Sequence, residues 1–153
     1  MRRAKILQDI TLGEGGNSSG GYFANVEVDG TIHAGTQQQY FFRNTSMYNF
    51  EPGNWHFTFL GCEGAPDSQC NASAPPAYTT IDQTPLIAEK PYITIDSNDK
   101  YYLKRPLYKT ATQGVDWDDD ADVFDFSQVY VANDTNSAAD INAKLSEGLH
   151  VVL

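Results

Sequence analysis

Apolar and polar residues alternate in short segments along most of this chain, and each segment ends at glycine, asparagine or serine. An alternation with period two predicts β-strands that bury one face. Residues 22–29 and 55–60 are the clearest examples, and in the second Trp55, Phe57 and Phe59 are predicted to share the core face. The predicted core face of the first comprises Tyr22, Ala24, Val26 and Val28.

These segments recur about every 17 residues, a spacing that fits either a β-sandwich or the rungs of a solenoid. Both architectures bury alternate residues, so spacing alone leaves the two open. A proline-rich stretch then connects to a predicted β-hairpin over residues 91–104. Near the end, the pattern predicts a strand at 129–131, one helix from Ser137 to Glu147, and a last strand at 150–153.

Charge and length limit the classes of partner. The chain has 153 residues and a formal net charge of -10, with 10 Lys+Arg against 20 Asp+Glu. Nucleic acid is not expected as a partner, because phosphate binding requires clustered basic residues. A membrane partner is not expected either, since charges interrupt every apolar run. The acidic, aromatic-rich composition favours a neutral or cationic ligand.

Local features favour an oxidising, extracellular origin. Cys62 and Cys70 bracket a turn-rich loop short enough for a disulfide, although two unrelated free thiols remain the alternative. Four Asn-x-Ser/Thr sequons would be glycan acceptors in a eukaryotic secreted protein. The sequons are at Asn17, Asn44, Asn71 and Asn133. We therefore expect a secreted protein, although the N-terminal residues contain no apolar core of a signal peptide.

Several segments carry a resemblance to a known family. They are residues 19–24, 35–44, 84–92 and 140–153. The last of these resembles the opening of pectate-lyase-like parallel β-helices, in which a short helix precedes a glycine and a valine-rich strand. The others are similar to large secreted bacterial and fungal proteins with the tandem β-helix architecture of exo-β-1,3-glucanases. Some members of that family bear names such as hypothetical, adenylyl cyclase-like or coagulation factor type.

The resemblance implies a mainly β fold with right-handed parallel β-helix rungs, a linking β-hairpin and one short capping helix. It implies the end of a first β-helix unit in residues 1–74, a linker with the hairpin in 75–112, and the cap helix and first strand of a second unit in 113–153. The apolar strand at the C-terminus suggests an internal fragment. Open sheet edges would then favour self-association or partner chains, and we do not expect the chain alone to be catalytically competent.

Acidic residues are the candidates for glycoside hydrolysis, which requires two carboxyl groups flanking the scissile bond. Glu27 and Asp29 lie on the same face of one predicted strand, about 6.5 to 7 Å apart. Glu89 is the third candidate. The alternative, which residue statistics favour, is that Glu27 and Asp29 are solvated surface acids and that Glu89 forms an ion pair.

Carbohydrate binding requires aromatic platforms and planar polar groups. The candidate substrate-binding residues are Trp117, Tyr40, Gln38, Arg43 and Asn44. Trp117 lies in a polar loop and is the expected exposed platform, whereas Trp55 is expected in the core. The run Gln37, Gln38 and Gln39 has a second interpretation, a stabilising ladder of stacked amides.

No cofactor is expected, because the common nucleotide, hydrolase and metal motifs are missing from the sequence. Asp116, Asp118 and Asp120 have the spacing of calcium ligands, but the loop lacks the glycine and the glutamate that an EF-hand requires. A solvated loop without a dedicated metal is therefore favoured.

Two hypotheses of function follow. The first is a segment of a secreted glycoside hydrolase that acts on a polysaccharide or oligosaccharide. The second is a non-catalytic extracellular structural or glycan-binding β-solenoid, in which the acids listed above are ordinary surface groups.

Overall fold

The chain forms two compact units in a computed structural model that describes residues 1–70, 76–117 and 120–153. The first unit comprises residues 1–87 together with 109–117, and the second comprises 88–108 together with 120–153. No helix among the described residues is long and apolar enough to cross a membrane.

Seven parallel strands build the first unit. They are β1 (Arg2–Ile6), β2 (Ile10–Thr11), β3 (Tyr22–His33), β4 (Gln39–Arg43), β5 (Ser46–Glu51), β6 (His56–Leu60) and β7 (Ala77–Ile81). The sheet has the order β1-β3-β4-β6-β7, and β2 and β5 both pair with β3. Paired residues are 17 to 22 positions apart, as between Gln39 and His56 or between Arg2 and Ala24. Parallel pairing at this spacing confirms the predicted β-solenoid and excludes an antiparallel sandwich here.

Each of four successive rungs bends at one left-handed residue. Asn25 has φ 57°, Asn44 has φ 45° and Gly61 has φ 59°, and Arg3 has φ 46° on the first rung. These residues align because Ala24 pairs with Arg2 and Arg43, and Arg43 pairs with Leu60. Asparagine and glycine adopt this conformation at the lowest cost. The outer surface is thereby divided into one face before the bend and another after it.

Aromatic rings fill the solenoid interior. Phe42 is fully buried and stacks on Phe59 with ring centroids 5.0 Å apart, and Phe23 meets Phe42 edge-on at 5.6 Å. Val26, Val28 and Ile32 belong to the same cluster. Burial of this kind is the main stabilising term for such a unit.

Two expectations about the core are wrong in detail. Phe23, rather than Tyr22, shares the core with Val26 and Val28, because left-handed Asn25 shifts the alternation by one residue. Trp55 is 49% exposed, whereas Phe57 and Phe59 are buried. Trp55 precedes β6, which begins at His56, so the alternation does not extend to it.

The predicted disulfide is not formed. Cys62 and Cys70 are both free thiols. Cys62 lies in the hydrophobic cluster with its Sγ 3.7 Å from Leu60 O, whereas the exposed Cys70 Sγ lies 3.5 Å from Tyr78 O at the edge of β7. The two thiols therefore lie in different surroundings, and burial raises the pKa of Cys62 to about 11.

Irregular backbone covers the free edge of β7. Gln69 and Tyr78 exchange two backbone hydrogen bonds of 3.0 and 2.9 Å, and Ser68 Oγ accepts from the Thr80 amide at 2.8 Å. Covering an edge strand in this way prevents further strand addition there. The unit is completed by an antiparallel pair, β8 (Thr84–Ile87) with β11 (Lys109–Thr112).

The second unit contains the predicted hairpin and helix. Strands β9 (Tyr92–Ile95), β10 (Tyr101–Pro106) and β12 (Ala121–Asp125) form an antiparallel sheet, which confirms the hairpin. A 3₁₀ turn (Phe126–Gln128) leads to β13 (Val129–Val131), which pairs in parallel with β14 (His150–Val152). Between them lies α1 (Ala138–Ser146), which begins with a capping box of Ser137 and Asp140, as the sequence predicts.

Candidate functional site

A shallow groove of about 290 Å³ lies on the outer face of the parallel sheet, before the rung bends. We call it the aromatic groove. Its walls combine glycine backbone, aromatic rings and hydrogen-bonding side chains. The lining residues are Gly20, Gly21, Gln39, Tyr40, Phe41, His56 and Thr58.

Strand register brings the polar side chains of the groove together. Gln39 pairs with His56 and Phe41 pairs with Thr58 on adjacent rungs. Side chains at paired positions of neighbouring strands project from the same face. The exposed Gln39 and His56 therefore lie side by side, next to half-buried Phe41 and Thr58.

A flat aromatic surface adjoins the groove. Tyr22 pairs with Phe41, and their rings are stacked with centroids 5.6 Å apart and planes 6° from parallel. The Arg43 guanidinium lies 5.7 Å from the centroid of the Tyr22 ring. Both rings are half-buried, so part of this surface faces solvent.

Buried Gln37 fixes the turn that forms one wall. Its Nε2 donates to Gly20 O at 3.0 Å and to Gln39 O at 2.6 Å, while its Oε1 accepts from Ser18 Oγ at 2.8 Å. A buried amide with its hydrogen bonds satisfied holds the backbone around it in one arrangement. The glutamine run thus divides its roles, because Gln37 is structural, Gln38 is half-buried and Gln39 lines the groove.

Gly21 allows the Tyr40 ring to enter the groove wall. A Cβ added at Gly21 would lie 2.0 Å from Tyr40 Cε2, so no larger residue fits while the ring stays in place. Burial raises the pKa of Tyr40. Its hydroxyl therefore remains a protonated donor at neutral pH.

The groove has the chemistry of a carbohydrate-binding surface. Aromatic rings pack against the apolar faces of sugar rings, and amide, imidazole and hydroxyl groups hydrogen-bond to sugar hydroxyls. None of its described lining residues is Asp or Glu. Glycoside hydrolysis requires two carboxyl groups, so the groove by itself is suited to binding.

Glu27 and Asp29 lie together on the face after the bend. Lys5 Nζ is 2.9 Å from Glu27 Oε1 and 3.1 Å from Asp29 Oδ1. Hydrogen bonding to Glu27, and secondly to Asp29, raises the pKa of Lys5. Both carboxylates are thus paired with one ammonium.

Ser46 and Glu63 are two further residues of this face, and the sequence alone did not indicate them. Lys5, Glu27, Ser46 and Glu63 occupy paired positions on four successive rungs, and Ser46 Oγ donates to Glu63 Oε2 at 2.7 Å. Glu27, Ser46 and Glu63 border a second shallow depression together with Asp29 and Tyr48, which is 80% exposed. We call this depression the acidic cleft. Only the register of the strands brings them together, so no local motif could have indicated Ser46 or Glu63.

Asn44 and Trp117 serve the rung bends. Asn44 is buried, its Nδ2 donates to Thr112 Oγ1 at 3.0 Å and to Gly114 O at 3.2 Å, and its Oδ1 accepts from Thr84 Oγ1. The Trp117 indole donates to Asn25 O at 3.0 Å. Both residues attach the segment 112–117 to the solenoid, and neither lines the aromatic groove.

The remaining candidates are dispersed. Glu89 is half-buried in the second unit. Asp116 pairs with Lys109, exposed Asp120 accepts a backbone hydrogen bond from Leu107, and Asp118 lies outside the described residues. Within the described ranges, no group of three or more His, Cys, Asp or Glu side chains is arranged to hold a metal ion.

The sequons differ in exposure. Asn17 and Asn133 are exposed, Asn44 is buried, and Asn71 lies outside the described part of the chain. Glycosylation and secretion remain predictions.

The chain is similar to a curated bacterial enzyme along nearly its whole length. It is 34% identical to the exo-β-1,3-glucanase of Streptomyces sp. (strain SirexAA-E / ActE) over 157 residues, which cover 99% of this chain and 25% of the relative. This similarity agrees with the β-helix architecture described above. The chain spans about a quarter of the length of that relative. No protein-family model matches it.

Solved structures agree with the sequence comparison. The structure of sacteLam55A from Streptomyces sp. SirexAA-E has a TM-score of 0.92 and 32% identity, with 99% of this chain and 28% of that chain covered. A variant of sacteLam55A solved in complex with glucose gives the same TM-score at 31% identity and the same coverage. The parallel β-solenoid is therefore shared.

Proposed function

We propose that this chain is a glycan-binding segment of a secreted glycoside hydrolase that acts on a β-1,3-linked glucan, and that the aromatic groove contacts the glycan. The observation that carries the proposal is the similarity to an exo-β-1,3-glucanase over 99% of the chain. The glucose complex of a related structure supports a carbohydrate ligand.

The groove supports a neutral sugar over a charged one. Its lining, among the residues that the structure describes, holds no carboxylate, and the chain carries a net charge of -10, which repels uronate polymers at long range. The stacked Tyr22 and Phe41 rings lie on two neighbouring rungs. Neighbouring strands of a sheet are about 4.8 Å apart, a distance comparable with the length of one pyranose ring. A linear glucan lying across the rungs would place successive sugars over successive rungs.

Hydrolysis would require carboxyl groups from beyond the groove. Glu27 and Asp29 are paired with Lys5, and the predicted catalytic role of these two residues and of Glu89 stays untested. We therefore expect the isolated chain to bind without turnover. Activity would then be a property of a longer protein that contains it.

The test is a calorimetric titration of the chain with short neutral β-1,3-linked and β-1,4-linked gluco-oligosaccharides and with an oligogalacturonate. We expect preference for the β-1,3-linked ligand and no binding of the uronate. His56→Ala and Gln39→Ala should each weaken binding about five- to tenfold, the value of one hydrogen bond. Tyr48→Ala, in the acidic cleft, is the matched control and should leave the affinity unchanged. Absence of binding to every neutral glycan would overturn the proposal.

A second candidate is a non-catalytic glycan-binding β-solenoid. The observation in its favour is that no carboxylate is found among the described residues that line the groove. If a longer protein that contains this chain binds the glucan but releases no reducing sugar from it, the second candidate replaces the hydrolase.

A further inference from the structure

The imidazole of His33 lies between two carboxylates, and none of these three residues lines the aromatic groove or the acidic cleft. Its Nδ1 is 2.7 Å from Glu51 Oε2, and its Nε2 is 3.5 Å from Asp9 Oδ2. Among the described residues, these are the charged groups within ion-pair distance of the ring. A neutral imidazole donates through one nitrogen only, so acceptors at both nitrogens favour the protonated ring.

The three side chains come from successive rungs of the solenoid. His33 pairs with Thr11 of β2 on one side and with Glu51 of β5 on the other. Asp9 directly precedes β2, and its Oδ1 accepts from the Thr31 amide at 2.7 Å. The loop that contains Asp9 packs closely against β3. A Cβ added at Gly30 would lie only 2.5 Å from the Asp9 backbone nitrogen.

Strand β2 is held by few backbone hydrogen bonds, although Ile10 and the following Leu12 pack against the core. It is two residues long and is extended by a backbone hydrogen bond of 2.9 Å from the Leu12 amide to His33 O. Short strands with few backbone bonds open locally at a low free-energy cost. An ion-paired side chain that joins β2 to its neighbours is therefore well placed to control its opening.

We propose that Asp9, His33 and Glu51 form a pH-sensitive clasp that holds β2 on β3 while the imidazole is protonated and loosens it when the proton is lost. The clasp does not depend on glycan binding. Its effect is local, because both carboxylates are largely exposed, the imidazole is only half-buried, and an ion pair near the surface contributes little to global stability.

The pH range of the clasp follows from its partners. Hydrogen bonding to Glu51, and more weakly to Asp9, raises the pKa of His33 above its usual 6.5 against the opposing effect of partial burial. The contribution of His33 is therefore complete below pH 6.5 and is lost as the pH rises through the raised pKa. The Thr31 amide, and then His33, hold the pKa of Asp9 below 3.8, so the contribution of Asp9 is lost only as the pH falls through that lower pKa.

The test combines an NMR titration of the His33 ring with hydrogen exchange of the Leu12 and Thr31 amides. We expect a His33 pKa above 6.5 that falls in Glu51→Gln. Amide protection, corrected for intrinsic exchange, should fall about two- to fivefold between about pH 5 and about pH 8, the scale of one exposed ion pair. In His33→Gln this pH dependence should vanish.

A matched control is Glu63→Gln, whose carboxylate binds Ser46 instead of an imidazole. It should keep the wild-type pH dependence. A His33 pKa at or below 6.5, or the same loss of protection in His33→Gln as in the wild type, would overturn the clasp.

Discussion

Single residues decide whether the aromatic groove exists. Gly21 is required because the Tyr40 ring occupies the space of a side chain, and Gln37 is required because its amide joins Ser18, Gly20 and Gln39. Gln37 is buried, and Gly21 contributes only backbone to the groove. Gly21 shapes the groove by leaving room for the Tyr40 ring, and Gln37 shapes it by donating to the Gly20 and Gln39 carbonyls.

Gly21→Ala should displace the Tyr40 ring, lower stability by about 1–3 kcal/mol through overpacking, and weaken glycan binding. Gly16→Ala is the matched control, because Gly16 also has a positive φ, nothing lies within 4 Å of its added Cβ, and it does not line the groove. It should cost about 1 kcal/mol of backbone strain and keep its glycan affinity. Urea unfolding and calorimetric titration measure the two effects, and equal losses of affinity in both variants would contradict the steric account.

The two cysteines should differ in reactivity. Cys70 is exposed, whereas burial raises the pKa of Cys62 to about 11 and leaves little thiolate at neutral pH. We expect a thiol reagent to modify Cys70 quickly in the folded protein and Cys62 only after unfolding. Mass spectrometry of the modified peptides measures this, and protection of both cysteines after denaturation would indicate the disulfide instead.

The sequence predicts which acidic side chains lie together within one strand, but it does not predict which residues of other rungs they contact. Glu27 and Asp29 do lie together, as their spacing within one strand predicts. Their partner Lys5 is more than twenty positions away, and the neighbour Glu63 reaches this face through the pairing of rungs. Rung lengths vary from 17 to 22 residues, so register cannot be counted from the sequence.

At the scale of elements, the solenoid is a set of parallel strands that turn at a left-handed residue. Asn25 and Asn44 fill this role and also bind the segment 112–117 through their side chains. Asn25 Nδ2 donates to Asp116 O at 2.6 Å and its Oδ1 accepts from the Asp116 amide. The asparagines at the bends thus change the direction of the strand and also hold the segment 112–117 against the solenoid.

Adjacent residues of β4 should separate stability from binding. Phe42→Ala removes a fully buried ring that stacks on Phe59 and should lower the free energy of unfolding by about 3–5 kcal/mol. Phe41→Ala removes a half-buried ring from the groove and should cost about 1 kcal/mol but about tenfold in glycan affinity. Denaturant unfolding and calorimetry check both values. A larger loss of stability in Phe41→Ala than in Phe42→Ala would contradict the assignment of Phe42 to the core and of Phe41 to the outer face of β4.

Element types were predictable because their signals are local. Period-two alternation indicated the strands, and Ser137 with Asp140 indicated the start of α1. The phase of β3 was missed because a left-handed asparagine within a strand has no distinctive pattern in a single sequence. Trp55 was placed in the core because the alternation gives no sign of where β6 begins.

At the scale of the whole molecule, parallel rungs turn a series of short strands into continuous outer faces. The face before the bend carries rings, amides and an imidazole, and the face after it carries paired acids. The spacing of the strands fits a sandwich as well as a solenoid. The resemblance to the β-helix family predicts the solenoid, and the parallel pairing of the strands confirms it. The location of the groove required the structure, because its lining residues are drawn from three separate segments.

The central claim is that the aromatic groove binds a neutral β-1,3-linked glucan. NMR spectra of the labelled chain during titration with a short β-1,3-linked gluco-oligosaccharide test it most directly. We predict saturable shifts of the Gly20, Gly21, Gln39, His56 and Thr58 amides, with Glu27, Asp29 and Glu63 unaffected. Shifts confined to the acidic cleft, or no saturable shifts at all, would contradict the claim.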